Sequence, residues 1–156
     1  KKCTEKHRNK CFDYIKEHSI SYSIQFIDND GIDKDNILSC SIDAMHRCLD
    51  DISTKKQFNS ILVDGNKFKP YPNIQHKCIV KGDAKYMSIA SASILAKTHR
   101  DNLMNNLHQE YPQYNWRNNK GYPTKAHKEK IIDYGITQYH RKSFKLLERQ
   151  QTLKFS

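Results

Sequence analysis

Two aspartates and three loops hold most of the chemistry this sequence offers. Asp64 closes a short apolar run, Ser60-Ile61-Leu62-Val63-Asp64, and Gly65-Asn66 follows it. A buried strand of this kind delivers a carboxylate at its C-terminal end, where ligand sites gather in open α/β sheets. Asp101 stands seven residues after Ile94 and three before Met104 in a long helical pattern, on the same stripe as apolar side chains. An ionised carboxylate buried there without a partner costs several kcal/mol. It is therefore either paired, with Lys97 or Arg100 as the nearest cations, or held for a function. Two carboxylates converging under a basic surface is what divalent-metal chemistry on phosphodiesters requires.

The three loops suit an anionic polymer. Lys81-Gly82-Asp83-Ala84-Lys85 puts a turn, two cations and free amides before a helix, where a phosphate can dock or an ordinary capped turn can sit. Asn118-Asn119-Lys120-Gly121-Tyr122-Pro123-Thr124 sets Tyr122 in a loop shaped by glycine and proline, suited to stacking on a base or sugar, although exposed loop tyrosines are common without a role. Tyr139-His140-Arg141-Lys142-Ser143-Phe144 is a basic knot able to touch a phosphate backbone; as a bare charge run it is solvated surface.

The whole chain leans the same way. It has 156 residues with 27 Lys+Arg against 17 Asp+Glu, a formal charge of +10, so a polyanion is the leading class of partner. Length and 37% apolar content support one domain with one core. No apolar run approaches the ~20 residues of a membrane span, and Lys1-Lys2-Cys3-Thr4 lacks the apolar stretch of an export signal. The five cysteines form no C-x-x-C pair and read as free thiols of a reducing cytoplasm.

The elements that must position these residues alternate between helix and strand. Thr4 caps a helix to about residue 19, and residues 20–27 switch to a two-residue alternation that predicts a half-buried strand. Asp28-Asn29-Asp30-Gly31 reads as a turn, and Ile37, Leu38, Ile42, Met45, Leu49 and Ile52 recur at helical spacing. Residues 60–64 and 78–80 read as short strands, 86–110 as a long helix stopped by Pro112, and 111–122 as a polar and aromatic loop. Thr124 caps a helix ending at Gly135, and residues 144–150 read as a last short helix. The pattern predicts an α/β fold, with parallel strands wherever helices intervene.

In order along the chain, Val63-Asp64-Gly65-Asn66, Lys81-Gly82-Asp83, Ser88-Ile89-Ala90-Ser91-Ala92-Ser93-Ile94-Leu95-Ala96-Lys97, Arg100-Asp101, Tyr111-Pro112, Lys120-Gly121-Tyr122-Pro123-Thr124 with His127, and His140-Arg141 with Phe144 strongly resemble ribonuclease HII. The resemblance spans residues 1–147, leaving 148–156 as a tail. Lys67-Phe68-Lys69-Pro70-Tyr71-Pro72 and Asn115-Trp116 look like Bacteroidetes-type versions.

The resemblance implies an RNase H-like α/β fold, a mixed sheet flanked by helices with a C-terminal helical portion. It implies metal-dependent endonucleolytic cleavage of the RNA strand of RNA/DNA hybrids, and cleavage 5′ of ribonucleotides embedded in duplex DNA, leaving 5′-phosphate and 3′-OH ends. The family's two-metal site uses Mn²⁺ or Mg²⁺ on four carboxylates, two of which Asp64 and Asp101 match: Asp64 as a direct ligand, Asp101 positioning the second ion and the attacking water. Tyr122 matches the tyrosine that stacks on the deoxyribose after the ribonucleotide; Lys1, Lys81, Lys120, Gly121, His140 and Arg141 fall where substrate contacts are expected.

The family's Asp-Glu-x-Gly-Arg-Gly motif is not in this sequence. Lys1 aligns with the lysine of the downstream Asp-Ser-Lys motif, so the expectation is an N-terminally truncated chain, lacking the first strands and half the metal ligands, with impaired or no activity. The competing expectations are a catalytically silent remnant that binds RNA/DNA hybrids, and a fragment unable to fold alone. A cytoplasmic monomer is expected, with a weak match to a sliding-clamp peptide in Gln150-Gln151-Thr152-Leu153-Lys154-Phe155-Ser156.

Overall fold

The computed structural model describes residues 4–143. Helix α1, Glu5–His18, starts where expected: the Thr4 hydroxyl accepts from the His7 amide at 3.3 Å, satisfying one of the amides a helix start leaves open.

The next stretch departs from expectation. Residues 20–28 form no strand. Alternation fixes an extended backbone, yet a strand also needs a neighbour to exchange hydrogen bonds with, and the two strands among the described residues pair with each other. The presumed turn at Asp28-Gly31 is instead the start of α2, Asn29–Asp35, because the Asp28 carboxylate accepts from the Gly31 amide at 2.9 Å and so caps a helix. Asn36 then adopts φ 70 and its side chain accepts from the Leu38 and Ser39 amides, ending α2 and capping α3, Ile37–Ser53. Asparagine is among the few non-glycine residues that take this left-handed φ readily.

Strands β1, Ser60–Asp64, and β2, Gln75–Ile79, form a parallel pair in which Asp64 lies opposite Ile79. Ile61 and Val63 point inward, and Ser60, Leu62 and Asp64 point out. No helix intervenes between these parallel neighbours: a proline-containing loop joins them, as the sequence reads, pinned by Tyr71, whose hydroxyl donates to Asp50 at 2.8 Å.

A short 3₁₀ turn, Gly82–Ala84, leads into α4, Met87–Glu110, which is about 36 Å long at 1.5 Å per residue. Its inward face is Ile89, Leu95, Thr98, Asp101 and Met104. The segment read as a polar and aromatic loop supplies the heart of the core. A 3₁₀ turn, Pro112–Tyr114, and the short helix α5, Trp116–Asn119, bury Tyr114 and Trp116 with Met104 and with Ile131 of α6, Lys125–Tyr134. The Tyr114 and Trp116 rings stack with centroids 5.1 Å apart, and the Tyr114 hydroxyl donates to the Gly135 carbonyl at 2.9 Å. Tyrosine and tryptophan can serve as core residues when their polar ends find partners. Helix α6 begins and ends as the sequence predicts, capped by Thr124 and terminated by Gly135 at φ 76.

The architecture is α/β. Among the described residues no helix is long and apolar enough to cross a membrane. Lys1, the helix expected over 144–150 and the clamp-like peptide lie outside the described residues.

Candidate active site

Asp64 sits where β1 ends, exposed to solvent. Its Oδ1 accepts from the backbone amide of Gly82 at 2.9 Å, which ties the strand end to the turn preceding α4. Gly82 has little room for a side chain: a Cβ there would lie 2.7 Å from Ile89 Cδ1 and 3.4 Å from that same Asp64 oxygen. The turn is thus folded tightly over the carboxylate. Asp83 follows immediately, half-buried in the same 3₁₀ turn. Lys81, in the left-handed region at φ 56 and exposed, stands at the edge of this turn.

Asp101 has a different environment. It is 4% exposed, with the Arg8 guanidinium 2.7 Å from Oδ2 and the Lys97 ammonium 2.6 Å from Oδ1. Lys97 is one of the partners the helical spacing offers; the other cation is Arg8 from α1, not Arg100. Both oxygens are committed to side-chain cations, so the structure gives Asp101 the role of a paired core carboxylate that fastens α1 to α4. No sequence spacing points to Arg8, because 93 residues separate the two.

The Tyr122 loop is held against the same helix. The Lys120 ammonium donates to Asn105 Oδ1 at 2.8 Å, the Lys120 carbonyl accepts from Arg100 at 3.4 Å, and the Gly121 amide donates to Asn119 Oδ1 at 2.9 Å. Lys120 and Gly121 both take positive φ, 50 and 77, and a Cβ on Gly121 would come within 3.2 Å of Met104. This back-bend against α4 leaves Tyr122 63% exposed on a fixed loop.

The basic knot divides. His140 is 5% exposed, its ring stacked on His127 at 5.4 Å and packed edge-on to Tyr114 at 5.0 Å. Its Nδ1 accepts from the Thr137 amide at 3.0 Å. Burial, with the neighbouring His127 adding to it, pushes its pKa down to about 4. His140 is therefore a neutral core ring and presents no charge to a phosphate. Arg141, next in the chain, is half-buried.

The model for the ribonuclease HII family matches residues 1–147. The chain belongs to the ribonuclease HII family. Ribonuclease HII of Christiangramia forsetii is 53% identical over 150 residues, covering 96% of this chain and 75% of that protein. Those of Parabacteroides distasonis and Bacteroides fragilis are 50% and 48% identical, covering 99% and 100% of this chain and 77% of each relative. The chain is thereby a ribonuclease by family, a phosphodiester hydrolase of RNase H-like α/β fold.

The ribonuclease HII resemblance implies divalent metal, and the site residues fit it unequally. Asp64 fits, since it is exposed at a strand end and only one of its oxygens takes an amide. Asp101 is less open to an ion, since each of its oxygens already faces a cation. Among the described residues no three His, Cys, Asp or Glu side chains are grouped to hold a metal. The bond from the Gly82 amide to Asp64 shows why the Lys81-Gly82-Asp83 turn lies at the site, which the sequence alone presents as an ordinary turn.

Proposed function

We propose that this chain binds RNA/DNA hybrids, and duplex DNA carrying embedded ribonucleotides, and cleaves on the 5′ side of the ribonucleotide with Mn²⁺ or Mg²⁺ to leave 5′-phosphate and 3′-OH ends. The observation that carries the reading is the exposed Asp64 carboxylate, braced by Gly82 at the head of the helix whose far half fixes the Tyr122 loop. A divalent ion there supplies Lewis-acid activation at phosphorus and a more acidic bound water.

The side chains divide the remaining work. Asp64 holds the ion. Asp101 acts as a positioning residue, keeping α1 and α4 in register through Arg8 and Lys97. Tyr122 stacks on the deoxyribose that follows the ribonucleotide, and the flanking 2′-hydroxyl distinguishes RNA from DNA. Lys81, Lys120 and Arg141 face the phosphates, Gly121 gives the loop its bend, and His140 anchors the segment that bears Arg141. The chain works on this reading as a cytoplasmic monomer.

One observation favours a second reading, a hybrid-binding protein without cleavage: Asp101 is ion-paired on both oxygens, and among the described residues no three His, Cys, Asp or Glu side chains are grouped to hold a metal. The test is strand cleavage of a duplex carrying one ribonucleotide, with Mn²⁺ and with EDTA, by the chain and by its Asp64→Asn variant. Metal-dependent cutting lost on Asp64→Asn supports the nuclease. Salt-sensitive binding without cutting supports the second reading, and neither binding nor cutting by a folded chain rejects both.

A further inference from the structure

Helix α2, absent from the sequence-based expectation, has its side chains turned to a segment more than a hundred residues away. Asn29 donates from Nδ2 to the Gln138 carbonyl at 2.8 Å and to the His140 carbonyl at 3.4 Å. One turn further on the same face, Asp33 accepts from the backbone amides of Lys142 and Ser143, the latter at 3.1 Å, and from the Ser143 hydroxyl. These bonds bracket Arg141. Inside the bracket, the His140 ring is seated between His127, Tyr114 and Trp116. The strap of residues 137–143 is thus fixed from both sides, by carboxylate and amide from outside and by ring packing from inside.

This amount of fixing is large for a strap rich in exposed polar residues, and what it holds in place is a cation. Arg141 is half-buried on this strap; burial first, and the charge of Arg100 after it, lower its pKa while Asp33 works the other way. Arg100 in turn reaches the Lys120 carbonyl, in the loop that presents Tyr122. A guanidinium carried on a backbone fixed in this way meets a phosphate at little further ordering cost.

On the hybrid-binding reading given above, we infer that Asp33, assisted by Asn29, is a positioning residue that clamps the strap so that Arg141 seats one backbone phosphate of the nucleic acid. Asp33 touches no substrate; its carboxylate acts through the backbone of Lys142 and Ser143. Ser143 is the other half of the clamp.

The sign of the effect separates this role from general electrostatics. Removing an acid from a protein that binds a polyanion strengthens binding through the net charge. The clamp requires the opposite. The experiment is fluorescence anisotropy with a labelled RNA/DNA hybrid over a series of salt concentrations, for the chain and its Asp33→Ala, Ser143→Ala, Arg141→Ala and Asp33→Ala/Arg141→Ala variants, each checked for folding by circular dichroism.

The expected result is about five- to tenfold weaker binding by Asp33→Ala. The slope of log K against log salt should fall in magnitude by about one, as for loss of one phosphate contact. Arg141→Ala should match it and the double variant be no weaker than either, since the two residues act as one unit. Ser143→Ala should show the same trend more weakly, and serves alone if Asp33→Ala does not fold. An unchanged or tighter affinity with an unchanged slope, in a folded variant, overturns the clamp and leaves the hybrid-binding reading intact. A parent chain that binds no hybrid removes both together.

Discussion

Helix α4 passes between a sealed region and an open one. On the sealed side Asp101 is almost wholly enclosed, a guanidinium on one oxygen and an ammonium on the other, and beyond it Tyr114, Trp116, His127 and His140 pack ring on ring. On the open side Asp64 ends a strand in contact with solvent, and Tyr122 projects from a loop that is itself tightly held. The same residue type does opposite work in the two places. A carboxylate with both oxygens answered by fixed cations fastens helices; one with an oxygen left to solvent can accept a ligand. The chemistry of an aspartate is set by what surrounds it.

That contrast should break first at Asp101. Replacing it with asparagine leaves Arg8 largely buried without a counter-charge, which costs about 3–5 kcal/mol of folding stability. Urea unfolding measures it, and a loss below about 1 kcal/mol would move Asp101 out of the structural class and back among candidate ligands.

The next effect belongs to the ring cluster. His140 has its pKa depressed from 6.5 to about 4, so the unfolded chain binds the proton more readily between those values. Stability is fully present above pH 6.5, falls as pH drops toward 4, and the total loss from this ring is about 3 kcal/mol. Thermal melts across that window should show the fall, and His140→Phe should flatten it; an equal slope in the variant assigns the acid sensitivity elsewhere.

On the open side the effects shift from stability to ligand. Tyr122→Ala should weaken hybrid binding by about 1–3 kcal/mol, the worth of one stacked base, while the melting curve stays in place. Asp64→Asn should change folding stability by less than about 0.5 kcal/mol, as an exposed substitution does. The same variant should abolish Mn²⁺ binding measured by electron paramagnetic resonance of the free ion. Retained Mn²⁺ binding would place the ion away from Asp64.

Local signals were legible and long-range ones were not. Thr4, Thr124 and Gly135 mark helix ends by hydrogen bonds made within four residues, and the structure places all three as the sequence predicts. The apolar run into Asp64 likewise reads correctly as a strand with its acid at the end. Residues 20–27 alternate like a strand, but pairing depends on a neighbour that alternation cannot supply. Asp28 was ambiguous because the aspartate that starts a turn also caps a helix. Tyr114 and Trp116 look like loop residues since their burial depends on Met104 and Ile131, brought together only by the fold. At the site, the resemblance correctly led to the family. The environment of Asp101 depended on Arg8, which no local pattern links to it.

The bonds that close the molecule also set an order of events during synthesis. Arg8 and Asp101 are 93 residues apart, and Asp33 and Ser143 are 110 apart. At roughly 5–20 residues per second on the ribosome, each N-terminal partner waits on the order of 5–20 seconds for its mate. During that wait α1 and α2 have no α4 or strap to rest on, and only local support remains: the caps Thr4 and Asp28 and, for α2, its neighbour α3. The contacts that α1 and α2 make with α4 and the strap are therefore complete only once residue 143 has cleared the exit tunnel.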